Sequence, residues 1–540
     1  MKETKYDCII VGGGITGVGI ARDLSLRGLK LLLVEKNDLS EGTTGRCHAM
    51  LHSGARYVYK DKEAALECAQ ENKILLTIAP HITEPCGGYF IAVNSEDMDY
   101  GDIFRTECEI AGVWCEEINP QTFLSKEPNC NPHTIRVFKV NDGYIDPFLL
   151  TYYNAYDAQL HGATIKAYTK AERLLLDGDT IIGIECFNVL TKRRNKYYTD
   201  IIINATGPWS SYLEKDLSLS HPLKIAPTMG TLVVVKDRLV NGLINRLRPP
   251  GDGDIIVPSH NSVIVGTTSI PVEYEQLDTL RTTPDEIDYI LTQGEYLVPT
   301  LKKHRIIRFY SGARPLIDSG ASLREASRRF DIIDYEKEGY SGFLTIIGGK
   351  LTTYRLMAKE ISDLVVSYLD IDAQCSTADQ PLPGGDRLIN KERFEEILKV
   401  DKKTAFDMQF KWGTFYKEIF EMCERCMDPF SEPNIPQKIC ECENVTEPEL
   451  SWVRERLAIK VLDDYRRRTR QGMGPCQGIF CYYKLANLEA KHTEKTHAQI
   501  MNELKIALQK RWKIQYAADD VLKRQIKLSK YIYLLGGHLK

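Results

Sequence analysis

Near the N-terminus, three glycines in the spacing Gly12-x-Gly14-x-x-Gly17 separate a β-rich run, Tyr6 to Val11, from helix-compatible spacing at Ile20 to Gly28. This turn constrains the fold more than any other feature of the chain. Glycine serves there for a tight turn, for close approach of a pyrophosphate and for packing of helix on strand. The helix N-terminus adds unpaired N–H groups and the positive end of its dipole. Leu31 to Glu35 reads as the next buried strand, and Glu35 at its end offers a carboxylate that accepts ribose hydroxyls and repels a 2′-phosphate. The pattern predicts an α/β nucleotide-binding unit. The competing reading is a structural glycine turn with nothing bound.

A chain of 540 residues exceeds one ordinary core, so two or three domains are expected. Hydrophobic residues at 43% and charged residues at 27% give a globular balance rather than a disordered one. A formal net charge of -4 gives no reason to expect a nucleic-acid partner. No apolar run is long enough to predict a spanning helix. The run Cys8 to Val11 breaks at once into Gly12-Gly13-Gly14, unlike a secretion signal, so the expected location is the cytoplasm. In that compartment most of the 15 cysteines are expected as buried thiols.

Further along, helical patterns cover Glu63 to Ala79 and Phe148 to Leu160, and a strand at Asp200 to Ala205 ends in Thr206-Gly207-Pro208. Strand-like runs, such as Thr231 to Val235 and Ser262 to Gly266, fill Pro222 to Asp334 and predict a separate sheet. Gly342 to Tyr354 reads as strand, glycine turn and helix start. Pro381 to Gly385 punctuates a boundary, followed by a charged helical stretch to about Asn434. The last forty residues are helical in pattern, with nine Lys/Arg against three acids. That excess suits an anionic membrane surface, a partner, or a solvated helical face.

Two features favour FAD over NAD. Asn204-Ala205-Thr206-Gly207 sets a second small-residue turn at a strand end. Gly348-Gly349-Lys350-Leu351-Thr352-Thr353 sets a third before a helix, whose N-terminus would face the pyrimidine edge where reduction gathers negative charge. Four segments then become specific: Gly12 to Gly28, Thr44 to Tyr57 (TGRCHAMLHSGARY), Tyr310 to Leu316 (YSGARPL) and Gly348 to Arg355 (GGKLTTYR). With the cysteine module described below, the chain resembles the FAD-dependent glycerol-3-phosphate dehydrogenases, most closely the A subunit of the anaerobic enzyme.

The resemblance implies a glutathione-reductase-type FAD domain interleaved with a substrate-binding cap sheet. On that basis residues 1–375 form the oxidoreductase, with FAD-binding parts at about 1–85, 147–215 and 335–375 and the cap at about 86–146 and 216–334. A helical linker (376–435), a cysteine domain (436–485) and a basic helical tail (486–540) follow. The cofactor-binding set becomes Gly12, Gly14, Gly17, Glu35, Thr44, Ala205, Gly207, Gly349, Leu351 and Thr352.

Oxidising a secondary alcohol moves a hydride to the flavin and a proton to a base within hydrogen-bond reach. His52, in the segment the family places by the flavin, is the first candidate base, and His48 the alternate. The single-chain relatives carry a further histidine where this chain has Leu232. A phosphate monoester dianion suits guanidinium forks and ammonium groups. The resemblance assigns Arg56, Tyr57 and Lys350 to the phosphate, and Arg314 and Arg328 to the hydroxyl end, with Arg329 competing for the register of Arg328. Cys47 stands where asparagine is expected.

Cys440-x-Cys442 is followed after 33 residues by Cys476-x4-Cys481, with Gly472, Gly474 and Gly478 around the second pair. Four thiolates suit a [2Fe–2S] cluster or tetrahedral zinc. The spacing resembles the bacterioferritin-associated-ferredoxin type of [2Fe–2S] domain, whereas zinc more often uses C-x2-C pairs. Cys423-x-x-Cys426 has no matching pair and reads as structural thiols.

The resemblance implies oxidation of sn-glycerol 3-phosphate to dihydroxyacetone phosphate, with electrons leaving through companion subunits to a membrane quinone. It also implies a peripheral position on the inner membrane face. Alternatives are a soluble oxidase using oxygen, a non-catalytic flavin or metal sensor, and an amino-acid substrate. The density of matched basic residues argues against the last.

Overall fold

The computed structural model describes residues 5–317, 329–386, 402–425 and 437–536. A six-stranded sheet holds the N-terminal unit, in the order Phe330–Asp334, Phe343–Gly348, Ile202–Asn204, Cys8–Val11, Leu31–Val34, Thr164–Lys166. Its four inner pairings are parallel, and Phe330–Asp334 closes one edge antiparallel. Cys8, Ile9 and Ile10 have no solvent exposure, as a central strand covered on both faces requires. The helix Ile15–Leu26 starts five residues before the expected one, because the glycine turn itself enters the helix. It packs on the helices Pro147–Leu160 and Tyr354–Tyr368. Asp146 caps the first of these, accepting N–H bonds from Phe148 at 2.9 Å and Leu149 at 3.0 Å.

The second large sheet has nine strands, and chain segments far apart in sequence build it. Gly88–Ala92, Arg136–Val140 and Cys115–Ile118 join the strands of 228–314 through parallel pairing of Gly88–Ala92 with Leu243–Arg246. Thr228–Lys236 pairs antiparallel with Ile306–Arg314, setting Thr228 opposite Arg314. One edge of the expected cap is displaced: Phe330–Asp334 pairs not with the cap strands but with Phe343–Gly348 in the nucleotide-type sheet. An antiparallel meander, Thr169–Asp177, Thr180–Asn188 and Arg193–Tyr198, forms a third sheet.

Beyond residue 437 a short hairpin, Lys438–Cys440 with Val445–Thr446, precedes helices Glu447–Arg456, Asp464–Thr469, Cys481–His492, His497–Trp512 and Asp520–Lys530. Their apolar faces continue the main core: Ile10 and Val233 share one buried cluster with Leu450 and Leu504. Among the described residues no helix is long and apolar enough to cross a membrane.

Candidate functional site

The glycine turn forms the floor of a cavity of about 870 Å³. Gly12 has φ +115°, and a Cβ there would lie 2.5 Å from the Ala205 carbonyl oxygen, so only glycine fits. A Cβ at Gly17 would lie 1.9 Å from the Gly12 carbonyl, which places Gly17 in helix–turn packing rather than in the cavity wall. Glu35 stands at the end of its strand, where its carboxylate accepts N–H bonds from Gly13 at 2.7 Å and Asn37 at 2.8 Å. Burial pushes its carboxyl above the usual range.

Gly12, Gly14, Glu35, Thr44, Ala205, Gly207, Gly349 and Leu351 all line the cavity. Three turns from separate strand ends therefore face a single elongated space. A helix N-terminus, a buried carboxylate and glycine backbone are the donor and acceptor set that an adenine dinucleotide requires, so the cavity fits FAD. Thr352 is fully buried and does not line the cavity; its Oγ1 accepts the His52 N–H at 3.0 Å.

That bond fastens the His52 segment to the Gly349 turn. His52 follows the short strand Met50–Leu51, and its Nε2 lies 3.3 Å from the Tyr57 hydroxyl. The Lys350 ammonium lies 4.6 Å from the centre of the Tyr57 ring, and Lys350 also lines the flavin-sized cavity. His52, Tyr57 and Lys350 are thus brought together, with Lys350 lining that cavity. Arg56 sits on the same turn, Ala55–Tyr57, and pairs with the buried Asp254 at 2.6 Å and with the Gly251 carbonyl at 3.2 Å.

Arg314 ends the strand Ile306–Arg314. Both its terminal nitrogens donate to the Thr268 carbonyl at 3.1 Å, and Nη2 donates to Thr267 Oγ1 at 3.2 Å. The next residue, Pro315, lines the flavin-sized cavity. Arg328 lies outside the described residues. Its competitor Arg329 ion-pairs with Glu63 and lies 3.6 Å from Glu67, both on the helix Lys62–Ile78. His48 is half-buried between the Thr44–Arg46 turn and Met50. Leu232 is 2% exposed and lies in the nine-stranded sheet, opposite Tyr310 and Gly266.

Two residues that the motifs did not single out belong to these surroundings. Asp142 is buried and accepts bonds from the Ser53 N–H at 2.7 Å and the Ser53 hydroxyl at 2.8 Å, which anchors the residue after His52. Thr43 donates its hydroxyl to the Ala313 carbonyl at 2.6 Å, which ties the flavin-side turn to the strand of Arg314. Neither carries a motif signal, because each partner lies in a distant part of the chain. Burial pushes the Cys47 thiol up to about 11, so it stays protonated at neutral pH.

The four module cysteines act on one another in two pairs, Cys440 with Cys481 and Cys442 with Cys476. The neighbouring Cys442 thiol, aided by the N–H groups of Gly478, Phe480 and Ile479, holds the Cys476 thiol below the usual range. The Gln471 amide donates to Cys481 Sγ at 2.9 Å. A Cβ at Gly474 would lie 2.5 Å from Cys442 Cβ, so the backbone passes the sulfurs at close range. This donor set suits a thiolate-bound group. In the conformation described, no group of three or more His, Cys, Asp or Glu side chains among the described residues is arranged to hold a metal ion. Cys426 and the side chain of Cys423 lie outside the described residues.

The C-terminal cations do not all face outward. Lys510 pairs with Glu41 at 2.8 Å and Asp463 at 3.2 Å, and Arg511 donates to the Gly472 carbonyl at 3.1 Å.

Comparison with known proteins places this geometry. Residues 7–355 match the family described as FAD dependent oxidoreductase. The A subunit of the anaerobic glycerol-3-phosphate dehydrogenase of Escherichia coli (strain K12) is 39% identical over 532 residues, covering 98% of this chain and 96% of its own. The A1 subunit of the anaerobic enzyme of Haloferax volcanii is 33% identical over 523 residues, covering 94% and 86%. In fold, the chain is similar to the glycerol-3-phosphate dehydrogenase of Bacillus halodurans solved with FAD. The TM-score is 0.71 at 23% identity, over 94% of this chain and 95% of that one.

Proposed function

Because the chain belongs to the FAD-dependent oxidoreductase family, and within it to the anaerobic glycerol-3-phosphate dehydrogenase A subunits, we propose that it oxidises sn-glycerol 3-phosphate to dihydroxyacetone phosphate. FAD, when bound, supplies the hydride acceptor. Lys350 and Tyr57 hold the substrate phosphate, and Arg56, braced by Asp254, adds to the field around it. His52 takes the hydroxyl proton at Nε2, the atom facing Tyr57. Arg314, fixed by Thr267 and Thr268, stabilises the oxygen as that proton leaves, a role the resemblance also gives to Arg328.

The meeting of His52 and Tyr57 with Lys350, which lines the dinucleotide-sized cavity, carries this reading. Its test is anaerobic titration of the flavin-loaded protein with glycerol 3-phosphate. Stoichiometric bleaching of the flavin band is expected, and an unchanged spectrum defeats the proposal.

The finer assignments belong to the same proposal. Within residues 1–375 we assign FAD-binding parts at about 1–85, 147–215 and 335–375 and a cap at about 86–146 and 216–334, with Phe330–Asp334 pairing on the nucleotide-type sheet. Cys440, Cys442, Cys476 and Cys481 hold a [2Fe–2S] cluster, for which about two iron and two sulfide per chain are expected; zinc in their place refutes it. Electrons pass to companion subunits and on to a quinone, with the chain peripheral on the cytoplasmic membrane face. Near-stoichiometric peroxide from the isolated protein in air would instead mark an oxidase.

A further inference from the structure

A second cavity, of about 270 Å³, lies between the flavin-sized cavity and the cysteine module. It shares Arg46, Cys47 and Lys513 with the first and reaches Met473 and Gln477 beside the module. Its walls come from four distant parts of the chain: the turn Thr44–Arg46, the strand Ile306–Arg314, the helix Asp464–Thr469, and the turn that follows His497–Trp512. Eight Lys and Arg residues line it against three acids, and two of the eight, Arg467 and Arg470, are paired with Asp38 and Glu443 outside the lining.

All three acids are already engaged. Glu41 pairs with Lys510 at 2.8 Å. Asp463 pairs with Arg467 at 3.0 Å, Lys510 at 3.2 Å and Arg466 at 3.3 Å. Asp278 pairs with Lys36 at 2.7 Å. Arg46, Arg308 and Lys513 remain, and among the described residues their side chains have neither a hydrogen bond nor an ion pair. They also feel one another. Burial, then the charge of Arg466, holds Arg308 down to about 10. Partial burial, then Arg46, Lys510 and Arg308, lowers Lys513, which as a residue remains exposed. Like charges gathered in a partly dry cavity destabilise each other, and an anion relieves them.

We propose that this cavity is a binding site for a phosphate-type dianion, inorganic phosphate or a small phosphomonoester, with Arg46, Arg308 and Lys513 as its ligands. Two guanidinium forks and one ammonium on three walls match a tetrahedral dianion better than a single carboxylate. The site is separate from the proposed substrate phosphate position at Lys350 and Tyr57, since neither residue lines this cavity. It adjoins the flavin-sized cavity, which Arg46 and Lys513 also line, but does not include that cavity's floor at Gly12 and Gly14. An anion bound here stands between the flavin side and the cysteine module.

The test uses the flavin-loaded full chain at constant ionic strength. Thermal midpoints are followed as inorganic phosphate, or in a parallel arm glycerol 2-phosphate, replaces chloride. Wild type should show a saturable rise of several degrees. Arg308→Gln and Lys513→Gln should each weaken the half-saturating concentration at least tenfold, and Arg308→Gln should raise the midpoint in chloride alone, because a repelling charge is gone. Arg308→Gln should also retain its flavin and, in phosphate-free buffer, oxidise glycerol 3-phosphate within twofold of wild type. The arm with the lower half-saturating concentration identifies inorganic or organic phosphate as the ligand. A linear, non-saturating response in wild type, or one that both variants leave unchanged, overturns the proposal. Release of flavin as phosphate saturates also overturns it, by showing that the two compete for one site.

Discussion

At the residue scale, Arg314 donates to the Thr268 carbonyl and the Thr267 hydroxyl, which fix its guanidinium at the end of its strand. Arg314→Ala should lower kcat/KM for glycerol 3-phosphate at least about a hundredfold, roughly 3 kcal/mol of transition-state stabilisation, in a dye-linked assay. Unchanged kinetics would remove Arg314 from the site. Asp142 makes a different prediction. Burial pushes its carboxyl from 3.8 up to about 6, and Oδ2 has no hydrogen-bond partner while Oδ1 takes both Ser53 bonds. A carboxyl that holds its proton more tightly when folded stabilises the protein below the unfolded pKa, and this stabilisation is lost as pH rises through the folded one. Asp142→Asn keeps the Oδ1 acceptor and removes the buried charge. Its stability advantage over wild type should grow between pH 4 and 6 and level off above that, reaching about 3 kcal/mol. Denaturant melts at several pH values check this, and an advantage that does not change with pH would show that Asp142 stays ionised.

At the element scale, the helices Lys62–Ile78 and Tyr354–Tyr368 position the turns that carry Tyr57 and Lys350. A buried ion pair joins them: Arg355 Nε donates to Glu71 at 2.9 Å, and its Nη2 also bonds that carboxylate. Breaking one side of such a pair strands the other charge, which costs about 3–5 kcal/mol. Arg355→Ala should therefore lower the thermal midpoint sharply, and the double change Arg355→Met with Glu71→Met should recover much of the loss. A double variant no more stable than the single one would show that the pair contributes through packing elsewhere. Element positions can mostly be read from periodicity. Phe148 to Leu160 and Ser262 to Gly266 match the observed helix and strand to within a residue, because turn residues bound an uninterrupted pattern there. The edge strand Phe330–Asp334 belongs to the other sheet from the one its place in the chain suggests, because its residues state that they form a strand but not which neighbour they pair with.

At the scale of the whole molecule, the C-terminal module is built into the rest of the chain. Asp38, which follows the second strand and is fully buried, accepts bonds from Arg467 at 2.5 Å, Arg468 at 2.9 and 3.0 Å, and Tyr152 at 2.8 Å. Asp38→Ala leaves two buried guanidinium groups without that carboxylate, so hydrogen exchange across Asp464–Thr469 should quicken at least tenfold while the strand Cys8–Val11 stays protected. Equal protection in both proteins would show that apolar packing alone docks the module. The amino-acid sequence by itself determined the dinucleotide turn, the acid that follows it, the cysteine spacing and the family, because each is a local pattern that physics ties to residues close together in the chain. Only the tertiary structure decided that Arg56 is paired with Asp254, that Arg329 turns to Glu63, that Lys510 pairs with Glu41, and that Arg511 is buried against the Gly472 carbonyl. Whether a charge meets a ligand or a carboxylate depends on which distant segment folds against it, and no local pattern records that.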